Sequence, residues 1–167
     1  MLPLFCAVAR SDQTLLADAD AKAGLVFQFA RYAEWPPAVL REGIQICITG
    51  NQDSFQQSLL GLTGKPLRAR PLTVRVLGHR DDPAGCHIMV IGDGKEPIGQ
   101  WLNRARPINA LTISDETGFI AAGGMIGLVM AGDKVRFEIN VEAMSAAGIG
   151  LPAQVVRLAR NYTGRSE

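Results

Sequence analysis

"IQICITGNQDSFQQSLLGL", residues 44–62, is the stretch on which the fold reading turns. Its first seven residues are a run rich in β-branched side chains, with isoleucine at every second position, which is the pattern of a buried strand. The next residues supply a polar cap and then a short helix that buries Phe55 and Leu59. A strand that runs directly into a helix is the opening of an α/β unit, and the rest of the chain repeats the theme. "PLTVRVLG" (71–78), "CHIMVIG" (86–92) and "ALTIS" (110–114) read as strands. Between the last two, "EPIGQWLNRA" places Ile98, Trp101, Leu102 and Ala105 on one helical face.

Upstream, residues 17–34 form the expected first helix, with Ala21, Leu25 and Phe29 at helical spacing and Asp18 and Asp20 at its positive end. "WPP" at 35–37 ends it, because proline cannot continue a helix and restrains the residue before it. Downstream, "MIGLVM" and "KVRFEI" are strand-length runs joined at Ala131-Gly132-Asp133, a hairpin signal. Two short helices come next, the first opening at the cap residue Asn140 and stopping at Gly148, and "NYTGRSE" reads as a polar tail. The expected architecture is a three-layer α/β domain: a mixed sheet flanked by helices, ending in an antiparallel hairpin and two short helices. Its expected organisation is a start at 1–16, one domain over 17–162 and a tail at 163–167.

With 167 residues the chain can form one domain that buries about two-thirds of its unfolded surface. Hydrophobic residues at 47% and charged residues at 20% exclude disorder and fibrous repeats. Seventeen Lys and Arg balance sixteen Asp and Glu, and the cations are spread along the chain, so nucleic acid is not an expected partner. The start, "MLPLFCAVARSDQ", is apolar up to Ala7-Val8-Ala9, which has the small-x-small form of a signal-peptidase site. It is similar to the end of a secretory signal whose charged beginning is missing; residues 1–16 would then be its remnant and a disordered start. Cys6 fits a lipid-anchoring motif poorly. Without residues 1–9, Cys47 and Cys86 remain, an even count that suits an oxidising compartment. They are 39 positions apart, so a bridge would be worth roughly 4 kcal/mol. The alternative is a pair of small buried thiols in a cytosolic core.

A catalytic set does not emerge. Gly61-Leu62-Thr63-Gly64-Lys65 lacks the first glycine and the final Ser or Thr of a phosphate loop, and reads as a turn. Gly123 and Gly124 precede a strand, whereas a dinucleotide loop precedes a helix; they read as close backbone approach or a bulge. His79 and His87 have no partner at metal-ligand spacing, and His87 points away from the adjacent Cys86, so it reads as structural. No metal, cofactor or catalytic residue is expected.

The residues do carry a family resemblance. "KAGLVFQFARYAEWP" (22–36) resembles the opening of the YfiR family of periplasmic regulators, and four later features agree in order: "IQICITG", "CHIMVIG", "LTISDETGFIAAGGMIGLV" and "KVRFEINVEAMSAAGI". The resemblance runs from Lys22 to about Arg160. It implies an exported, periplasmic α/β protein without chemistry of its own, usually dimeric. Its implied partner is the periplasmic sensor domain of an inner-membrane diguanylate cyclase, which it inhibits, and an outer-membrane peptidoglycan-binding lipoprotein relieves that inhibition. The output would be cyclic di-GMP, and through it biofilm formation and motility. The family's first cysteine pair maps onto Cys47 and Cys86. A second pair around the final hairpin is missing, with Ala121, Gly127 and Leu128 in that neighbourhood, which puts redox control through it in doubt.

From the hairpin, one of whose strands is expected to be an edge, and from the wide apolar surface of the first helix, Phe27, Arg31, Met125, Ile126 and Arg136 are candidate partner-binding residues. Core packing is the alternative for the apolar three. Structural roles are expected for Trp35, Gly123, Gly124 and Asn140. Two further functions remain open: a periplasmic small-molecule sensor or accessory to a sensor kinase or outer-membrane receptor, and a cytosolic nucleotide-using enzyme.

Overall fold

The computed structural model describes residues 6–40 and 42–163, with side chains described from residue 13 to residue 160 apart from 41. Helix α1 (Cys6–Tyr32) leads into a 3-10 turn (Pro37–Val39) and strand β1 (Gln45–Thr49). Then come α2 (Ser54–Leu60), the two-residue strands β2 (Pro66–Leu67) and β3 (Arg70–Pro71), β4 (Thr73–Val76), β5 (Ile88–Ile91), α3 (Ile98–Ala105) and β6 (Leu111–Ser114). The hairpin β7 (Ile126–Ala131) and β8 (Lys134–Asn140), helices α4 (Val141–Ala146) and α5 (Ala153–Val156), and β9 (Asn161–Thr163) complete it. Seven strands form one sheet in the order β4-β1-β5-β6-β7-β8-β9. The five from β4 to β7 are parallel, β8 is antiparallel to β7, and β9 runs parallel to β8. The expected mixed three-layer α/β architecture is what the chain adopts.

Strand periodicity sorts the core into two layers. Ile46, Ile48, Ile88, Val90, Leu111 and Ile113 pack with Val26, Phe29 and Ala30 of α1 and with Phe55 and Leu59 of α2. Their neighbours Cys47, Met89 and Ile91 point the other way, onto Trp101, Leu102 and Ala105 of α3. Covered on both faces, β5 reads as a continuous apolar run, while β1 and β6 bury the polar residues Thr49, Thr112 and Ser114 among their apolar ones. Phe29 meets Phe137 of β8 edge to face at 5.0 Å and fixes α1 across the hairpin.

The caps are dictated by the sequence. The Asp53 carboxylate accepts from Gln56 N at α2, and the Asn140 side chain accepts from Ala143 N at α4. Gly132 takes φ +66 in the β7–β8 turn.

Three expectations need correction. The first helix starts at Cys6 and not at 17, so its backbone continues through the stretch expected to be a disordered start; residues 1–5 of the supposed signal remnant lie outside the described residues. Asn161–Thr163 is not tail but strand β9, registered on Glu138–Asn140; residues 164–167 lie outside the described residues. β8 is therefore an edge only over its N-terminal half: β9 covers Glu138–Asn140, and the sheet ends at β4 and β9.

Candidate functional site

In doubly wound sheets ligands bind where neighbouring connections leave the sheet in opposite directions, beyond the carboxyl ends of the strands. Here that point lies between β1, whose connection carries α2 on one face, and β5, whose connection carries α3 on the other. It is filled by protein. Gln56, buried, donates from Nε2 to Thr49 O at 2.6 Å, Gly92 N donates to the same carbonyl at 3.0 Å, and Asn51 N donates to Asp93 O at 2.6 Å. Gly50, Gly92 and Gly94 make the approach possible: a Cβ on Gly50 would lie 2.5 Å from Asp93 O, and one on Gly92 2.6 Å from Gln56 Nε2. Gly61–Lys65 is the expected turn, with Lys65 N on Leu62 O and Gly64 N on Leu72 O.

Below this, on the α3 side, Cys47 and Cys86 are bonded, with Cα atoms 5.8 Å apart. Arg75 stands beside Cys47 in the β1–β4 register, and its Nη2 lies 3.4 Å from Cys86 Sγ while donating to Asp82 O (3.0 Å) and Ala84 O (3.2 Å). The guanidinium thus ties the 77–87 connection down over the bridge. Arg75 went unremarked in the sequence; its one signal is a charge within the apolar alternation of "TVRV".

His87 is structural. Gln45 N donates to its Nδ1 at 3.0 Å, which leaves Nε2 to carry the proton donated to Val39 O at 2.7 Å. Trp35 is buried with its ring edge-on to His87 at 6.3 Å. Gly124 is held by close approach: a Cβ there would fall 2.2 Å from the buried Phe119 ring, while Gly123 adopts φ +102 just before it.

The candidate partner residues separate. Met125 and Ile126 are 6% and 0% exposed and pack in the core, the alternative expected for them; Ile126 and Leu128 of the internal strand β7 face α1. Arg136 is exposed, but Phe137 and Ile139 point to α1, so Arg136 points to the opposite face. Phe27, half-buried, and the exposed Arg31 remain together on α1.

At the carboxyl ends of β5 and β6 the acidic residues Asp93, Asp115 and Glu116 converge. Lys22 of α1 pairs with Asp115 at 2.8 Å. Burial, then the neighbouring Asp115 and Asp93 carboxylates, raise the Glu116 pKa above the ordinary glutamate value. Such a group binds more protons folded than unfolded between its two pKa values, so stability falls as pH rises through that interval, and its ionised form is unfavourable at neutral pH. Glu116→Gln is expected to stabilise the protein at neutral pH by at most a few tenths of a kcal/mol, because solvent screens the site. The gain should vanish below the unfolded-state pKa, which melting curves of both proteins on either side of the interval would show. Lys22, Asp115 and Glu116 border a groove of about 730 Å³ whose other walls include Ile120, Val129, Glu138 and Arg160.

Fold and site together define a class: a disulfide-braced α/β domain whose sheet has the doubly wound form and whose usual ligand crevice is closed by its own backbone. Among the described residues no helix is long and apolar enough to cross a membrane. The chain belongs to the YfiR/HmsC-like family (DUF4154), whose model matches residues 19–160, and this is a regulatory, non-catalytic family. Among solved structures it is similar in fold to a conserved domain protein from Vibrio cholerae O1 biovar eltor, with a TM-score of 0.58 and 10% identity. That match covers 85% of this chain and spans 60% of the other.

Proposed function

We propose that this chain is a periplasmic inhibitory binding protein that represses a membrane-bound diguanylate cyclase. It binds the cyclase's periplasmic sensor domain in an inactive arrangement, and repression ends when a competing partner, such as an outer-membrane peptidoglycan-binding lipoprotein, takes the regulator away. It works without cofactor or catalysis, as a homodimer. The observation that carries this reading is family membership over residues 19–160. The Cys47–Cys86 bridge supports an oxidising compartment, and the filled switch-point crevice supports a role in which protein surfaces, not a bound substrate, are the working parts.

Cellular cyclic di-GMP in a strain lacking the gene tests it. The expected result is a rise that complementation reverses; an unchanged level in cells shown to make and export the protein would overturn it. The groove beside Glu116 favours a second reading, a periplasmic sensor that binds a small molecule there and reports to a kinase or receptor. A small molecule co-purifying with the protein and displaced by changes at Glu116 and Glu138 would move the assignment to it.

A further inference from the structure

From Ser54 to Arg80 the chain contains no Asp or Glu, and neither does the stretch from Ala21 to Ala33. The fold brings these two acid-free segments together. The β2–β3 hairpin lies against the C-terminal half of α1, with Lys65 Nζ 5.9 Å from the centre of the Phe27 ring. Arg68 donates to Arg31 O at 2.9 Å and to Ala33 O, and its guanidinium stands 5.8 Å from the Trp35 ring. Arg68 and Ala69 hold the turn at φ 49 and 66, a left-handed conformation that costs roughly 1–2 kcal/mol for each residue other than glycine. The cap that Arg68 places on the last carbonyls of α1 offsets part of this cost and fixes the hairpin to the helix.

The result is a cationic face. Arg31, Lys65, Arg68 and Arg70 are all exposed, and Tyr32, 45% exposed, is flanked by Arg31 at 5.7 Å. Among the described residues no ion pair joins Arg31, Lys65 or Arg70 to a carboxylate. Glu34, the first acid beyond α1, turns to Gly150 across a two-bond bridge.

We infer that this face docks an acidic segment of a protein partner, Arg31, Lys65 and Arg70 meeting carboxylates while Tyr32 and the edge of Phe27 supply apolar contact. The inference rests on the regulatory binding role proposed above and names the surface and partner chemistry for it. Charge complementarity is the argument: three exposed cations that no carboxylate among the described residues pairs with stand together on a chain whose overall charge is only +1. A lipid surface fits less well, because Phe27 is half-buried beneath Lys65 and the patch projects no aliphatic side chain to insert.

The test is the double charge reversal Lys65→Glu/Arg70→Glu, with Lys134→Glu on the β7–β8 hairpin as control; Arg68 is left intact because it caps α1. Binding is read by anisotropy of a labelled peptide of alternating Glu and Leu, and by sedimentation with phosphatidylglycerol vesicles. The double variant should keep the wild-type melting temperature and lose about tenfold or more in peptide affinity, while Lys134→Glu loses little. Peptide binding that is absent, or equal in the double variant, overturns the inference; vesicle binding without peptide binding assigns the face to a membrane instead. In cells, a deletion phenotype rescued by wild type but not by the double variant supports it. Full rescue by the double variant overturns the surface while leaving the repressor role standing. A deletion without phenotype overturns the role, and the peptide measurement then decides the surface alone.

Discussion

Removing the Cys47–Cys86 bridge is expected to lower the unfolding free energy by about 4 kcal/mol, the chain-entropy value for a loop closed across 39 positions. For a domain of this size that corresponds to a fall of roughly 8–16 °C in Tm. The double variant Cys47→Ala/Cys86→Ala is the cleaner comparison, since a single replacement leaves a buried thiol next to Arg75. Urea denaturation of the variant, and of the wild type with and without reductant, measures the loss. A cost below about 1 kcal/mol would contradict the expectation and mean that the unreduced chain gains little from closing this loop. The native consequence is local: Cys86 stands just before β5, and the bridge with the Arg75 guanidinium holds the 77–87 connection against the α3 face. Looser protection of amides 78–86 should accompany the global loss.

Gly50→Ala is expected to cost about 3–5 kcal/mol. Two terms contribute: left-handed backbone at φ +93, and a methyl that would stand 2.5 Å from Asp93 O and 2.7 Å from Gly92 C. Both contacts are backbone, so no rotamer change relieves them. Gly64→Ala separates the terms, because Gly64 has φ +84 but nothing within 4 Å of the added carbon. It should cost only about 1 kcal/mol. The difference between the two variants measures the packing that closes the switch-point crevice. Equal effects in the two would mean that the β1 and β5 loops separate easily and that the crevice is available to a ligand.

Much of this was legible in local chemistry. Buried strands announce themselves, "IMVI" because both its faces are apolar and "IQICIT" by its recurring isoleucines, and α3 because Ile98, Trp101, Leu102 and Ala105 recur at helical spacing. Asp53 and Asn140 cap helices through their own nearest backbone, so their roles needed only neighbouring sequence. Gly124 was readable as a close approach, though not as an approach to Phe119 in particular. β9 was missed because three polar residues carry no strand pattern of their own, and only the register offered by Glu138–Asn140 makes them one. For Met125 and Ile126 the choice between interface and core stayed open in the sequence for the related reason that an apolar strand at an edge and one in the interior look alike until its neighbours are known.

By itself, then, the sequence determined the α/β class, the order of the longer elements, the helix caps and the two cysteines available for a bridge, because each depends on periodicity or on contacts within a few residues. The tertiary structure alone decided what depends on distant segments meeting. It closed the crevice with Gly50, Gly92 and Gln56, set Arg75 over the disulfide, and turned Arg136 away from Phe27. It also gathered Arg31 and residues 65–70, cations that look scattered along a nearly neutral chain, onto one face. Charge acts through space, and the strained Arg68–Ala69 turn is what makes those positions neighbours.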